Sequence, residues 1–268
     1  MIFVAVLAVG VLFCGFVRFL EATSLFYPSR AITSTPRDAG MPFEDIVFTS
    51  EDGVKLRGWF IPAPSARWNL LYFHGNAGNI SGRVGKIAIF HKMGFNVFIF
   101  DYRGYGLSAG RPSEKGIYRD GLAAFDWLAA RTDVGRLPVV FYGTSLGGAV
   151  AIDVATRRKP AALVTESTFT SAKDMARAYY PFVPAFMLSL QFDSDRKIAT
   201  LDCPKLLIHS QQDEVVPFAI AQKLFAAARE PKEFLEAQGG HNQMFFESLE
   251  KILPAVERFV ESIPYEKK

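Results

Sequence analysis

Two hydrophobic patterns alternate along most of this chain. Short apolar runs that read as strands lie at Trp68–Phe73, Phe95–Phe100, Val139–Tyr142, Ala162–Thr165, Lys205–Ile208 and Glu233–Glu236. Runs that do not alternate with polar residues suit strands covered on both faces, as in a parallel sheet. Between them, apolar residues recur at helical spacing over Val84–Lys92, Ile117–Ala130, Leu146–Arg157, Ala219–Ala228 and Gln243–Ser262. Ahead of them, Asp45–Ser50 and Lys55–Ile61 flank the turn Glu51-Asp52-Gly53 and predict a hairpin. The pattern predicts an α/β fold: a doubly wound, mostly parallel sheet with an antiparallel start and helices on both faces.

One interval departs from this rhythm. From Thr168 to Ala199 the chain carries Tyr179-Tyr180-Pro181-Phe182-Val183-Pro184-Ala185-Phe186-Met187-Leu188 and no clear strand. A pair of core helices would account for it. The preferred expectation is a small helical cap over residues 168–199, whose apolar residues line an acyl pocket. An insertion leaving the carboxyl end of a parallel strand stands where such sheets bind ligands.

The amino-terminal end follows a third pattern. Ile2 to Val17 contains no charged or strongly polar residue, and Phe19-Leu20 resumes the run after Arg18. A helix that spans a bilayer needs about 17–25 apolar residues, and Arg18 could snorkel. A cleaved signal peptide would want a basic start and a small-residue cleavage site, which Leu20-Glu21-Ala22 does not supply. The expectation is an uncleaved single-pass membrane anchor over residues 1–20. Arg18, Arg30 and Arg37 on its carboxyl side would put the catalytic domain in the cytoplasm. Pro28, Pro36, Gly40 and Pro42 mark a linker over 21–42, leaving 43–265 as the globular domain.

Composition narrows the classes. Half of the 268 residues are hydrophobic and 25 are Phe, enough for a large core. The net charge of +3 is spread without a basic stripe, which argues against a nucleic-acid partner. Cys14 and Cys203 are too few and too differently placed for a disulfide framework. With four His and no C-x-x-C, a metal site is not expected.

Gly143-Thr144-Ser145-Leu146-Gly147 lies between a predicted strand and a predicted helix. A strand that turns sharply into a helix crowds its backbone around the central residue, so Gly is needed at 143 and 147, and the helix start faces Ser145 with its N–H groups. A serine nucleophile needs a histidine base, and the histidine needs a carboxylate partner. Among four histidines, His91 falls within a helix, His74 suits bracing a loop, and His209 ends a strand just before a better-placed acid. His241, in Gly239-Gly240-His241-Asn242 after the last strand, is the expected base. Asp213, in the loop after Lys205–Ile208, is the expected acid. Glu214 is its nearest competitor, and Asp193 and Asp195 read as surface charges. The oxyanion donors expected are the backbone N–H of Leu146 and of Asn76, with Ala77 as second choice to Asn76. Asn79-Ile80-Ser81 is formally a glycosylation sequon, but a glycan there would obstruct the site.

The motifs His74-Gly75-Asn76-Ala77-Gly78-Asn79, Asp101-Tyr102-Arg103-Gly104-Tyr105-Gly106 and Gly143-Thr144-Ser145-Leu146-Gly147-Gly148 resemble the α/β-hydrolase superfamily. They resemble in particular its membrane-anchored α/β-hydrolase-domain-containing subgroup, often labelled serine aminopeptidase-like. With the Asp213 and His241 loops, the resemblance spans roughly Phe43 to Val260, and Phe26-Tyr27-Pro28 is similar too. It implies an eight-stranded hydrolase core, a Ser-His-Asp triad and no cofactor, with Arg103 serving structure. It does not imply a substrate.

The resulting expectation is a serine hydrolase acting on a carboxylic ester or thioester of an acyl or lipidic small molecule. An aminopeptidase or amidase is the rival; it would need a pocket carboxylate for a free amine, and Glu166 is the candidate. A non-catalytic hydrolase-fold scaffold is the alternative from another class.

Overall fold

The computed structural model describes residues 26–134 and 137–263, together with the single positions Phe13 and Gly15. Its centre is an eight-stranded sheet. The strands are β1 (Glu44–Thr49), β2 (Lys55–Ile61), β3 (Trp68–Phe73), β4 (Phe95–Asp101), β5 (Val139–Thr144), β6 (Ala162–Glu166), β7 (Lys205–Ser210) and β8 (Lys232–Ala237). They lie in the order β8-β7-β6-β5-β3-β4-β2-β1. The hairpin β1–β2 and the pair β2–β4 are antiparallel, and every other pairing is parallel. This is the mostly parallel sheet with an antiparallel start that the alternating pattern predicts, in the eight-stranded α/β-hydrolase arrangement that the resemblance implies.

Five of these strands, β3 to β7, were legible as apolar runs because both faces of the sheet are covered there, whereas β8 is a half-buried edge strand. On one face Leu71, Phe73, Phe98, Phe100, Phe141 and Leu163 pack with residues of α2 (Glu114–Ala129), α3 (Leu146–Ala155) and α6 (Phe218–Ala227). On the other, Leu70, Tyr72, Val97, Ile99, Val140 and Val164 pack with α1 (Val84–Lys92) and α8 (Leu249–Glu261). Alternate residues of one strand thus serve opposite cores, which removes the polar–apolar alternation of a half-exposed strand.

The register of the parallel strands sets the working edge. Phe73, Gly143, Thr165, Leu207 and Phe234 stand in one row across β3, β5, β6, β7 and β8. The loops that follow these strands therefore open on the same side. The chain also reverses its direction of travel here. From β3 it moves outward to β4, then crosses back over β3 to β5, leaving the crevice typical of a switch point between their carboxyl ends.

Some elements differ from expectation. The single helix predicted over 243–262 is two, α7 (Met244–Glu247) and α8, interrupted at Ser248. Ser248 Oγ accepts from Gln238 N at 2.8 Å and donates to Gln238 O at 3.0 Å, binding the break to the loop after β8. The interval 168–199 folds as α4 (Ala172–Tyr179), a single 3-10 turn at Ala185–Met187 and α5 (Ser194–Ile198). No residue of α4 is buried, so it is not a core helix. Residues 26–42 are tied down: Tyr27–Pro28 pairs in parallel with Ala77–Gly78, and Arg30 Nη1 donates to Ser108 O at 2.6 Å.

The expected membrane anchor, the single-pass localisation and the cytoplasmic placement of the catalytic domain require correction. Among the described residues, no helix is long and apolar enough to cross a membrane. The 16-residue helix α2 rises roughly 24 Å, short of a hydrocarbon core of about 30 Å, and carries charges along one face. Residues 1–20 themselves, apart from Phe13 and Gly15, lie outside the described residues.

Candidate active site

Between β5 and α3 the backbone turns at Ser145, with φ 52° and ψ −117°. A non-glycine residue there stores about 1–3 kcal/mol of strain, held by the surrounding structure. Ser145 N–H donates to Glu166 O at 2.7 Å, which fastens the turn to the end of β6. A Cβ on Gly147 would stand 2.0 Å from Phe73 O, and one on Gly143 2.5 Å from Gly148 Cα. The expected need for glycine at both positions is thus steric, imposed by the neighbouring strand and by the helix start.

His241 comes to this turn from the loop after β8. Its Nε2 lies 3.1 Å from Ser145 Oγ, and its Nδ1 lies 2.9 and 2.8 Å from Asp213 Oδ1 and Oδ2. Because a carboxylate only accepts, Nδ1 carries the proton and Nε2 is left to accept from the serine hydroxyl. Asp213 Oδ1 also accepts from Val215 N at 2.9 Å and Val216 N at 2.7 Å. Burial pushes the Asp213 carboxyl up. The His241 hydrogen bond, the Val216 N–H and the fields of His241 and His209 outweigh burial and hold it below the ordinary carboxylate range.

The structure separates the other candidates from this line. His209 Nε2 donates to Val216 O at 2.8 Å, with Asp213 Oδ2 3.4 Å away, and braces the acid loop. Burial is the largest influence on His209 and lowers its pKa. His91 Nε2 donates to Pro62 O at 3.0 Å, far from the turn. His74 is wholly buried and donates from Nδ1 to Gly75 O at 2.7 Å. Glu214 does not reach the imidazole ring; its Oε2 accepts from the backbone N–H of His241 at 2.9 Å. Asp193 and Asp195 pair or cap locally on the 168–199 interval.

Leu146 is the first residue of α3, so its N–H belongs to the set that a helix leaves without partners inside the helix. The loop carrying Asn76 approaches the same turn, since a Cβ on Gly75 would lie 3.4 Å from Thr144 O and 3.8 Å from Ser145 Cβ. The Asn76 side chain is turned to other work: its Oδ1 accepts from Tyr105 OH at 2.9 Å and Tyr27 N at 3.4 Å. Ala77 lies in the bridge to Tyr27. Asn79 is buried, and its Nδ2 donates to Ser29 O at 3.0 Å and Ala31 O at 2.7 Å, so the sequon asparagine is consumed in packing.

Glu166, the carboxylate considered for holding a substrate amine, is committed to the core. Lys86 Nζ donates to its two oxygens at 2.8 and 2.7 Å, and Tyr142 OH donates to Oε2. Lys86 also sits over the Phe245 ring at 4.0 Å. Lys86 was not foreseen, because its spacing on α1 reads as an ordinary helix charge. Arg103 holds Asp120 and Asp52 through hydrogen bonds of 2.8–3.1 Å, a structural role. Two further side chains that sequence reasoning passed over, Gln212 and Tyr179, touch the loops of Asp213 and His241. Gln212 Oε1 accepts from Gly239 N at 2.6 Å, and Tyr179 OH lies 2.9 and 2.8 Å from Glu214 O and Val215 O.

Residues 64–198 match the family described as "Serine aminopeptidase, S33". An uncharacterized protein of Mycobacterium tuberculosis is 36% identical over 261 residues, covering 96% of this chain and 92% of the relative. The α/β-hydrolase domain-containing protein WAV2 of Arabidopsis thaliana is 40% identical over 235 residues, covering 79% and 76%. Among solved structures, an esterase of Pyrococcus furiosus superposes with a TM-score of 0.74 at 24% identity, covering 88% of this chain and 98% of that one. An acetyl xylan esterase of Paenibacillus sp. R4 superposes with a TM-score of 0.68 at 21% identity, covering 94% of each. At those identities the two structures share the fold with this chain.

Proposed function

This chain belongs to the serine aminopeptidase S33 family of α/β hydrolases, and we propose that within it the protein cleaves a carboxylic ester or thioester carrying an acyl or lipidic group. The observation that carries this reading is the continuous line of hydrogen bonds from Asp213 through His241 to Ser145. In this mechanism Ser145 Oγ attacks the carbonyl carbon while His241 Nε2 takes its proton. The carbonyl oxygen becomes an anion facing the N–H groups of Leu146 and Asn76. As the C–O or C–S bond breaks, His241 returns the proton to the leaving group, and an ester joins the acyl group to Ser145. Water, deprotonated by His241, then attacks that ester; the acid leaves and Ser145 regains its proton. Asp213 stays ionised throughout and stabilises the imidazolium.

The acyl preference is supported by the interval 168–199. Phe182 and Phe186 are 72% and 82% exposed, beside exposed Tyr180. Tyr179, at the end of α4, is bonded to the backbone of the Asp213 loop, so this aromatic surface adjoins the site. The amine-holding carboxylate that an aminopeptidase would want is not free at Glu166, because Lys86 already neutralises it and Tyr142 OH donates to it. A scaffold would have no use for the hydrogen-bonded line, nor for the strain at Ser145.

A fluorophosphonate probe tests the reading directly. Labelling of the parent protein and its loss in Ser145→Ala are expected, along with a fall of at least about 10³-fold in p-nitrophenyl ester hydrolysis. Labelling that persists in Ser145→Ala refutes the nucleophile. Faster turnover of aminoacyl anilides than of any ester would transfer the protein to the amidase reading.

A further inference from the structure

We propose that Gln212 and Glu214 are positioning residues that splint the histidine loop to the acid loop, so that three consecutive side chains set His241 against Ser145. The inference rests on the hydrolase reading for its catalytic meaning, but its geometry stands by itself. The ladder between β7 and β8 ends at Ser210 and Ala237. Beyond that pair the two chains leave the sheet, and the backbone N–H groups of residues 238–241 lose their neighbouring strand.

Side chains take over where the ladder stops. Gln212 Oε1 accepts from Gly239 N at 2.6 Å, and Glu214 Oε2 accepts from His241 N at 2.9 Å. The donors are two residues apart and so are the acceptors, so the two bonds join the loops in the same sequence direction, although both segments are turns and not strand. Asp213, between the two acceptors, reaches the imidazole. The opposite flank of the loop is held by Ser248 Oγ on Gln238 N. Gly239 has φ 101°, and the Gly239-Gly240 pair has little stiffness of its own. Gly240 O accepts from Gln243 N at 3.1 Å and Met244 N at 2.9 Å, and Asp213 holds the ring, but the N–H groups of Gly239 and His241 are tied to the acid loop through Gln212 and Glu214, which bears on the tolerance that proton transfer needs.

Glu214 is suited to this task by its setting. The hydrogen bond from His241 N–H is the largest influence on its carboxyl and keeps it ionised, below the ordinary range. A charged acceptor makes a stronger bond than a neutral one. Its main chain is anchored separately, since Glu214 O accepts from Tyr179 OH. Because the side chain is exposed, its loss should disturb the loop and spare the core.

The test uses Gln212→Ala, Glu214→Ala, their double variant and Glu214→Gln in the full chain, with p-nitrophenyl butyrate as substrate. Each alanine variant should lower kcat about 3- to 10-fold with KM unchanged, and the double variant about 10- to 100-fold. Glu214→Gln, which keeps an oxygen acceptor, should recover most of the loss, while thermal unfolding stays at the parent temperature in every variant. A kcat within twofold of the parent in both alanine variants overturns the proposal, as does Glu214→Gln being no better than Glu214→Ala. A readout independent of turnover separates this from the hydrolase reading. In a Ser145→Ala background, the Gly239 and His241 amides should exchange hydrogen about tenfold faster once Gln212 and Glu214 are both alanine. Unchanged exchange defeats the splint even if Ser145 proves to be the nucleophile.

Discussion

His74 and Asp101 are buried together beneath the loop that carries Asn76, with His74 Nε2 3.6 Å from Asp101 Oδ1. Burial, helped by the charge of Arg83, lowers the His74 pKa to about 3. Burial also raises Asp101 to about 7, against the opposing pull of the Ile80 N–H, Arg83 and Arg30. These shifts act on stability in opposite senses. From about pH 3.8 to 6.5 the unfolded chain binds the additional proton at His74, so that group makes stability rise with pH. Over the same interval the folded chain binds the additional proton at Asp101, so that group makes stability fall. The two largely cancel. Asp101→Asn, which removes one of them and keeps an acceptor for Ile80 N, should expose the histidine: denaturant unfolding should show stability climbing by about 1–2 kcal/mol from pH 4.5 to 6.5. A flat profile would mean that His74 does not resist protonation.

The same pair shows how far single residues could be read. Ser145, Asp213 and His241 could be proposed as a set because each follows a predicted strand and the loops run in the order that brings them together, and the structure does hold them in one hydrogen-bonded line. Glu166 and Glu214 were not resolved in the same way. A carboxylate looks alike in sequence whether it faces a substrate, a buried lysine or a backbone N–H, and the partners of these two are 80 and 27 residues distant.

At the scale of elements, the turn at Ser145 depends on neighbours that crowd it from β3. Gly147→Ala would drive a methyl group into Phe73 O and His74 O, and neither backbone atom can retreat without disturbing β3. A cost of at least about 1–3 kcal/mol is expected, with loss of probe labelling, because the turn and the Asn76 loop must separate. Gly82→Ala, where a Cβ meets nothing within 4 Å, is the control and should unfold at the parent temperature. Equal behaviour of the two variants in thermal melts would argue against the close approach. Strands with both faces covered announced themselves as apolar runs. The interruption between α7 and α8 did not, and the partner that Ser248 takes at the break, Gln238, lies outside the helical pattern.

Across the whole molecule, the exposed aromatic surface of residues 179–186, proposed above to meet the acyl group, is not dictated by the sheet. Phe182 and Phe186 contribute little to the core, so replacing both by alanine should leave stability within about 0.5 kcal/mol of the parent. KM for long-chain p-nitrophenyl esters should rise several-fold, with acetate unaffected. An equal effect at every chain length, or none at all, would remove these rings from substrate binding.

The order of apolar runs, the glycine-flanked serine and the chemistry of the residues after each strand were properties of the sequence alone. They sufficed for a doubly wound, mostly parallel α/β sheet, because hydrophobic period and turn chemistry act over a few neighbouring residues; the α/β-hydrolase fold was what the resemblance of the motifs implied. The tertiary structure decided what depends on distance across the chain. It aligned Phe73, Gly143, Thr165 and Leu207 in one row and opened the strand ends on one edge. It also neutralised Glu166 with Lys86, and assigned Glu214 to the His241 backbone in place of its ring. Such pairings arise only when the sheet register brings remote loops within about 3 Å of each other, and no local pattern records that register.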